Sequence, residues 1–342
     1  MTELLEKKYE DLKNLLRSYG KVAVAFSSGV DSTFLLYAAK EALLENSSAP
    51  GVYRSAESDD LSTDKCDGKS GSGAPSLIAV TVSSDFVAQR EKDEAGAFCR
   101  DNGIKHVICG VSLSEIPHFS ENPADRCYYC KHHIFENILR IAGEHFGADG
   151  TGTSSSGSDS LSALDGSDIK NSFVVVEGSN LDDNGDYRPG HRAIAELGIK
   201  SPLRDCGFTK AEIREVSKHL GLPTWKKPSF ACLASRVPYG DIITSEKLSM
   251  IDKGEDILLS MGFSQFRVRF HSASGAPSPA GSNSHGSIAR IELLPEDFPR
   301  FMEDSTRLEV YDRFKAIGFS YVALDIKGYR TGSLNETLNP TV

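Results

Sequence analysis

KVAVAFSSGVDSTFLL, residues 21–36, decides the fold. Lys21–Phe26 is a short apolar run rich in valine, the composition of a buried strand. Ser27–Ser32 is small, polar and contains a glycine. From Thr33 to about Glu45 the apolar residues recur at helical spacing. Strand, glycine-containing turn and helix form the opening unit of a parallel sheet. Working outward, the same alternation recurs, with strands expected at Leu77–Ser83 (LIAVTVS), His106–Val111 (HVICGV) and Phe173–Ser179 (FVVVEGS). Helices are expected between them at Val87–Asn102 and Tyr128–Phe146. The fold class is therefore α/β, a parallel sheet flanked by helices, whose ligands bind at the carboxyl ends of the strands.

The pattern changes after residue 207. Thr209-Lys210-Ala211-Glu212 is a capping box opening a helix to about Leu220, and a second helix is expected over Ser245–Met261. The tail then reads strand (Gln265–Phe270), strand (Ile288–Leu294), helix (Pro299–Ile317), strand (Tyr321–Ile326). The expected division is a sheet domain over 1–207 and a smaller C-terminal α+β domain over 208–342 for substrate and oligomer contacts. Asn46–Ser76, Ala148–Ser172 and Ser272–Ser287 are rich in Ser, Gly and Asp or Pro, with too few large apolar residues to offset the entropy of ordering. They read as disordered surface insertions without chemistry.

With 39% hydrophobic and 25% charged residues, the 342-residue chain is an ordinary globular protein with core enough for about two domains. No apolar run reaches the roughly 18 to 20 residues of a bilayer span. The N-terminal MTELLEKKYEDLKNLL reads as a charged amphipathic helix rather than a signal sequence, so the expectation is a cytoplasmic protein with no membrane partner. A net charge of −10 argues against nucleic acid as a partner, because a polyphosphate backbone needs a dense field of Lys and Arg. Seven cysteines in such a chain suit thiols, metal ligands or catalysts better than a disulfide framework.

Two constellations carry chemistry. In Ser27-Ser28-Gly29-Val30-Asp31-Ser32, backbone amides, the helix N-terminus and hydroxyls would cradle a pyrophosphate. The carboxylate of Asp31 would repel that anion unless a Mg²⁺ ion lay between them. The bland alternative is a tight connection and nothing more. The second constellation is Cys127 and Cys130 in RCYYCK, joined by Cys232 in PSFACLASR. Two thiols on a helix's first turn face the same way, and Arg126, Lys131 and the helix dipole are expected to lower their pKa. The set suits a metal, a cluster or sulfur exchange, and three cysteines invite a site-differentiated 4Fe-4S cluster. Cys99, Cys109 and Cys206 read as small buried hydrophobes, and Cys66 lies in an insertion. Arg267 and Arg269 alternate on FRVRFH and so share a face, where they would hold a phosphate bidentately with Glu292 orienting them. His132, His133 and His271 read as surface histidines without partners.

The loop resembles the S-G-G-x-D-S signature of the PP-loop ATP pyrophosphatases, with Ser28 in place of the second glycine. The whole chain resembles the three-cysteine type of the LarE family, through AFSSGVDSTFLL (25–36), ENPADRCYYCKHHIFE (121–136), VEGSNLDDNGDYRPG (176–190), the long stretch from LGIKSPLRDC through KPSFACLASRVPYG (197–240) and LDIKGYRTGSLNE (324–336). The resemblance implies a PP-loop adenine-nucleotide-hydrolase-like sheet. It implies an ATP-dependent sulfur transferase that adenylylates a carboxylate of pyridinium-3,5-biscarboxylic acid mononucleotide and converts it to a thiocarboxylate for the nickel-pincer nucleotide cofactor. ATP and Mg²⁺ would bind at Ser27, Ser28, Gly29, Val30, Asp31 and Ser32, with Glu177, Asn180 and Asp183 lining the nucleotide. Cys127, Cys130 and Cys232 would hold a 4Fe-4S cluster; in other members the cysteine matching Cys232 gives up its own sulfur. Asp31, Cys232 and Arg236 would be catalytic, Arg236 steadying the anionic intermediate. The family also implies a homo-oligomer, a hexamer. The rival readings are a PP-loop tRNA thiolase, disfavoured by the acidic balance, and a noncatalytic nucleotide- or cluster-binding protein, disfavoured by the retained Asp31, Ser32 and cysteines.

Overall fold

Strand β1 (Val22–Ala25) lies between two apolar layers because its side chains alternate in direction. The chain enters through helix α1 (Glu3–Tyr19) and leaves β1 through α2 (Val30–Leu43). Then follow β2 (Leu77–Ser83), α3 (Gln89–Asp101), β3 (Lys105–Gly110), α4 (Arg126–Phe146) and β4 (Val174–Val176). The protein is seen in a computed structural model that describes residues 1–44, 76–147, 173–185, 189–228, 231–273, 286–330 and 332–333. All pairings among these four strands are parallel, in the order β3-β2-β1-β4. Val22, Val24, Leu77 and Ala79 face one core with α1, α2 and α3, while Ala23, Ile78, Val80 and Val175 face the other beneath α4. The sheet is thus covered on both faces. The chain steps outward from β1 to β3 and then returns to the far side of β1 as β4. This reversal opens a crevice at the carboxyl ends of β1 and β4.

Beyond β4 come α5 (Pro189–Glu196), α6 (Pro202–Asp205) and α7 (Lys210–His219). The capping box forms as the sequence anticipates, with Thr209 Oγ1 accepting from Glu212 N and the Glu212 carboxylate accepting from Thr209 N. Ile213 and Val216 of α7 pack in the core of α1 and α2, so the chain past residue 207 still covers the first sheet. After α8 (Ser245–Ser260), β5 (Phe266–Ala273) pairs antiparallel with β6 (Gly286–Leu293). α9 (Phe298–Phe301) and α10 (Asp304–Ile317) precede β7 (Tyr321–Leu324), which is parallel to β6.

The single helix expected over Pro299–Ile317 is therefore two. Nine residues separate Phe301 from Val310, so a straight helix would turn them about 180° apart. Breaking at Met302 and Glu303 lets both enter the same core. Ser272, Ala273, Gly286 and Ser287 are paired strand residues, so the hairpin runs into both ends of the expected insertion. Ser76 likewise belongs to the sheet edge, its carbonyl accepting from Val22 N. The rest of the three insertions lies outside the described residues, as does Cys66. One continuous core joins Ile78 and Ile138 of the first sheet layer to Leu233, Val268 and Phe270 of the second. Among the described residues no helix is long and apolar enough to cross a membrane.

Candidate active site

Ser27–Ser32 links β1 to α2, with Gly29 as the helix N-cap. Ser27 Oγ and Ser32 Oγ lie 3.1 Å apart, and Ser32 Oγ also accepts from Ser27 N at 3.3 Å, which closes the turn on itself. Ser28 has φ of 53°, in the left-handed region that glycine occupies without strain. Its hydroxyl donates to Glu91 O on α3 at 3.0 Å, and Lys227 Nζ donates to Ser28 O and Oγ at 3.1 and 3.3 Å. Across the crevice, a Cβ on Gly178 would lie 3.1 Å from Ser32 N, tight enough to push the backbone of the turn back by a few tenths of an ångström, so glycine favours this close approach of the chain after β4.

Asp31 sits in the first turn of α2, and Lys210 Nζ donates to its Oδ2. Oδ1 is buried without a hydrogen-bond partner. Burial holds the Asp31 carboxyl above its ordinary value, outweighing the Lys210 ammonium. A buried carboxylate oxygen with no donor, facing a strand-to-helix turn, fits a hard divalent cation. After β4, Glu177 accepts from Ser179 Oγ and Ser201 Oγ, Asn180 N donates to Asp183 Oδ2 at 2.9 Å, and Asp182 N donates to Asn180 Oδ1 at 2.9 Å. Glu177 and Asn180 are buried and brace this loop.

The three cysteines come together because two loops are clamped. Asn122 is fully buried, with φ of 55°, and its Nδ2 donates to Pro238 O and Asp241 O at 2.6 and 3.2 Å. Arg126 Nη1 donates to Asn122 Oδ1 and to Ala234 O, and Leu233 N donates to Phe86 O just beyond β2. Cys232 is thereby held over the first turn of α4, near enough for its charge to act on Cys127 and Cys130. The expected lowering of thiol pKa is overturned. Arg126 and Lys131 do pull Cys127 and Cys130 downward, but burial, together with repulsion from Cys232, raises both. Cys232 itself is exposed. Among the described residues no three His, Cys, Asp or Glu side chains converge on a single metal-ion position. An all-sulfur donor set of wider spacing is the one a cluster asks for, since each thiolate takes a different iron. Cys99 and Cys109 are buried as expected, and Cys206 is half-buried.

Arg236 is completely buried. Its Nε and Nη2 donate to the two oxygens of Glu255 at 2.8 and 3.0 Å, and Nη1 donates to Ala231 O, Cys232 O and Ser235 Oγ. Its guanidinium thus holds the segment that carries Cys232. Arg267 and Arg269 do share a sheet face with Glu292, which stands opposite Arg267 in the strand register. Arg269 makes a two-pronged pair with Glu292 at 3.0 Å on each side, and its Nη1 donates to Ser235 O. Arg267 lies against Tyr329, and burial with the neighbouring Arg236 lowers its pKa to about 10, still charged at neutral pH. Ser333 Oγ closes over Arg269 and Glu292. His271 is not partnerless: Arg290 Nε donates to its Nε2 at 3.1 Å, and burial lowers its pKa. His132 pairs with Glu136 and His133 with Asn137, both one helical turn on. The sequence reading missed Lys210, Lys227 and Asn122 as site residues, and gave Arg126 a charge effect on the thiols but not its clamping role. The last two stand in ENPADRC, beside the cysteine pair, and that proximity was the available signal.

Fold and site together define an α/β protein of PP-loop type, with a strand-to-helix turn at the sheet's carboxyl edge and three thiols gathered beyond it. No protein-family model matches the chain. An uncharacterized protein of Synechocystis is 31% identical over 338 residues, 98% of this chain and 99% of that protein. The pyridinium-3,5-bisthiocarboxylic acid mononucleotide synthase of Lactiplantibacillus plantarum is 29% identical over 336 residues, 98% of this chain and 96% of that one. An uncharacterized protein of Methanocaldococcus jannaschii is 28% identical over 221 residues, 65% of this chain and 70% of its own length. The chain belongs to one family with the Synechocystis protein, and it is similar to the Lactiplantibacillus plantarum synthase over nearly its whole length.

Proposed function

We propose that this protein is an ATP-dependent sulfur transferase acting on pyridinium-3,5-biscarboxylic acid mononucleotide in nickel-pincer cofactor synthesis. The observation that carries the reading is the end-to-end match to a protein named for making the bisthiocarboxylic product. Making a thiocarboxylate from a carboxylate means expelling an oxygen, and a carboxylate oxygen is a poor leaving group whereas AMP is a good one. A nucleotide turn beside thiols is the pair of parts that this chemistry needs. The substrate carboxylate attacks the α-phosphorus of ATP and pyrophosphate departs from the Ser27–Ser32 turn. Glu177, Asn180 and Asp183 shape the nucleotide side, and Asp31 Oδ1 would hold Mg²⁺. Arg267 and Arg269, set by Glu292, would take the substrate phosphate.

Cys127, Cys130 and Cys232 would hold a 4Fe-4S cluster, which supplies an iron free to carry the transferred sulfide. The second reading, in which Cys232 gives up its own sulfur, is supported by its exposure beside two half-buried partners. We place the protein in the cytoplasm as a homo-oligomer, a hexamer by family habit. Anaerobically purified protein given substrate, MgATP and sulfide should release pyrophosphate and yield a product with oxygen replaced by sulfur by mass spectrometry. Pyrophosphate release that requires tRNA instead would transfer the assignment to the RNA thiolases.

A further inference from the structure

We propose that Lys227 is a phosphate-binding residue of the nucleotide site, taking the polyphosphate at the end of the turn opposite Asp31. The proposal rests on the ATP-dependent reading above. Ser27–Ser32 carries one carboxylate and no cationic side chain, so an entering polyphosphate needs positive charge from elsewhere. Two lysines reach the turn from the same stretch of chain. Lys210 is neutralised by Asp31. Lys227 lies at the other end, on the carbonyl and hydroxyl of Ser28.

Lys227 is aimed rather than loose. Its amide donates to Thr224 O at 2.9 Å, and Arg214 of α7 donates to Trp225 O and Lys227 O at 2.6 and 2.8 Å, fixing the backbone that launches the side chain. The ammonium is held by two neutral oxygens and by Glu94, whose side chain is 51% exposed. Glu91 is the other carboxylate facing it. The lysine side chain is itself 16% exposed, so the pair is open to water on the Glu94 side alone, and a multiply charged phosphate arriving at Ser28 would compete with that carboxylate for the ammonium. Cys232 follows five residues later, so one segment carries both the phosphate cation and the exposed thiol.

Calorimetric titration with the magnesium complex of α,β-methylene-ATP, alongside thermal unfolding of the free protein, tests this. Lys227→Met should weaken binding about tenfold or more, the loss of a charged hydrogen bond, while the free protein's unfolding midpoint stays near wild type. Lys227→Arg should restore part of the affinity. Glu94→Gln, which removes the competing carboxylate, should leave binding unchanged or tighter. If the lysine is only a structural strap, Lys227→Met and Glu94→Gln lower the midpoint and the affinity together, which overturns the proposal. Equal affinity of wild type and Lys227→Met overturns the lysine's role alone. Wild-type protein that binds no nucleotide removes the ATP-dependent reading as well.

Discussion

Ser28 and Asp31 show how single residues trade stability against the site. A non-glycine residue in the left-handed region costs roughly 1 to 2 kcal/mol, offset here by the Ser28 hydroxyl bond to Glu91 O and the Lys227 contacts. Ser28→Gly relieves the strain and loses the hydroxyl bond, worth about 1 kcal/mol, so denaturant unfolding should find it close to wild type. Ser28→Ala loses the bond and keeps the strain, and should be less stable by about 1 kcal/mol. Asp31 is buried with its pKa raised. Between the ordinary carboxylate value and the raised one, the folded state therefore holds a proton that the unfolded chain has lost. Its contribution to stability falls as pH rises from the ordinary carboxylate value through the raised folded value. Asp31→Asn should then unfold at a higher midpoint than wild type at neutral pH, with the gap closing in acid, while pyrophosphate release is lost. A midpoint lower at neutral pH would show that the Lys210 pair outweighs burial.

At the scale of elements, the segment Leu233–Arg236 is held by a buried ion pair to α8, and removing Arg236 leaves the buried Glu255 charge to the longer contacts of Arg90 at 3.5 Å and Val268 N at 3.3 Å. Arg236→Met should cost about 3 to 5 kcal/mol and speed alkylation of Cys232, whose carbonyl the arginine binds. Arg236→Met with Glu255→Met should unfold at a higher denaturant concentration than the single variant. If the double is as unstable as the single, the stranded-charge argument fails. Local signals made much of this legible beforehand. The strand-turn-helix unit at 21–36 and the capping box at Thr209 are written in adjacent residues, and Arg267, Arg269 and Glu292 follow from strand alternation. Lys210 and Lys227 were not legible, because Asp31 lies 179 residues from one and Ser28 199 residues from the other. Nor did spacing reveal that α9 and α10 separate, since the break is set by which faces of Phe301 and Val310 meet the core. The direction of the thiol pKa values was misread because neighbouring cations are visible in sequence and burial is not.

For the whole molecule, the sulfur source gives the sharpest test. If the three thiols jointly hold a cluster, Cys127→Ala, Cys130→Ala or Cys232→Ala should each remove most of the iron, and wild type should turn over repeatedly when given sulfide. Active, iron-free protein whose Cys232 becomes dehydroalanine would instead establish the sacrificial route and leave sulfur transfer standing. The hairpin that carries Arg267 and Arg269 has a consequence for engineering. Ala273 and Gly286 are direct partners across the β5–β6 ladder, so the residues between them form a detour whose two ends already touch. Replacing 274–285 by Asn-Gly would shorten the closed loop and lower its closure entropy by about 1 to 2 kcal/mol. The same junction is a natural port for a fluorescent reporter, spliced in where the chain enters and leaves at one point.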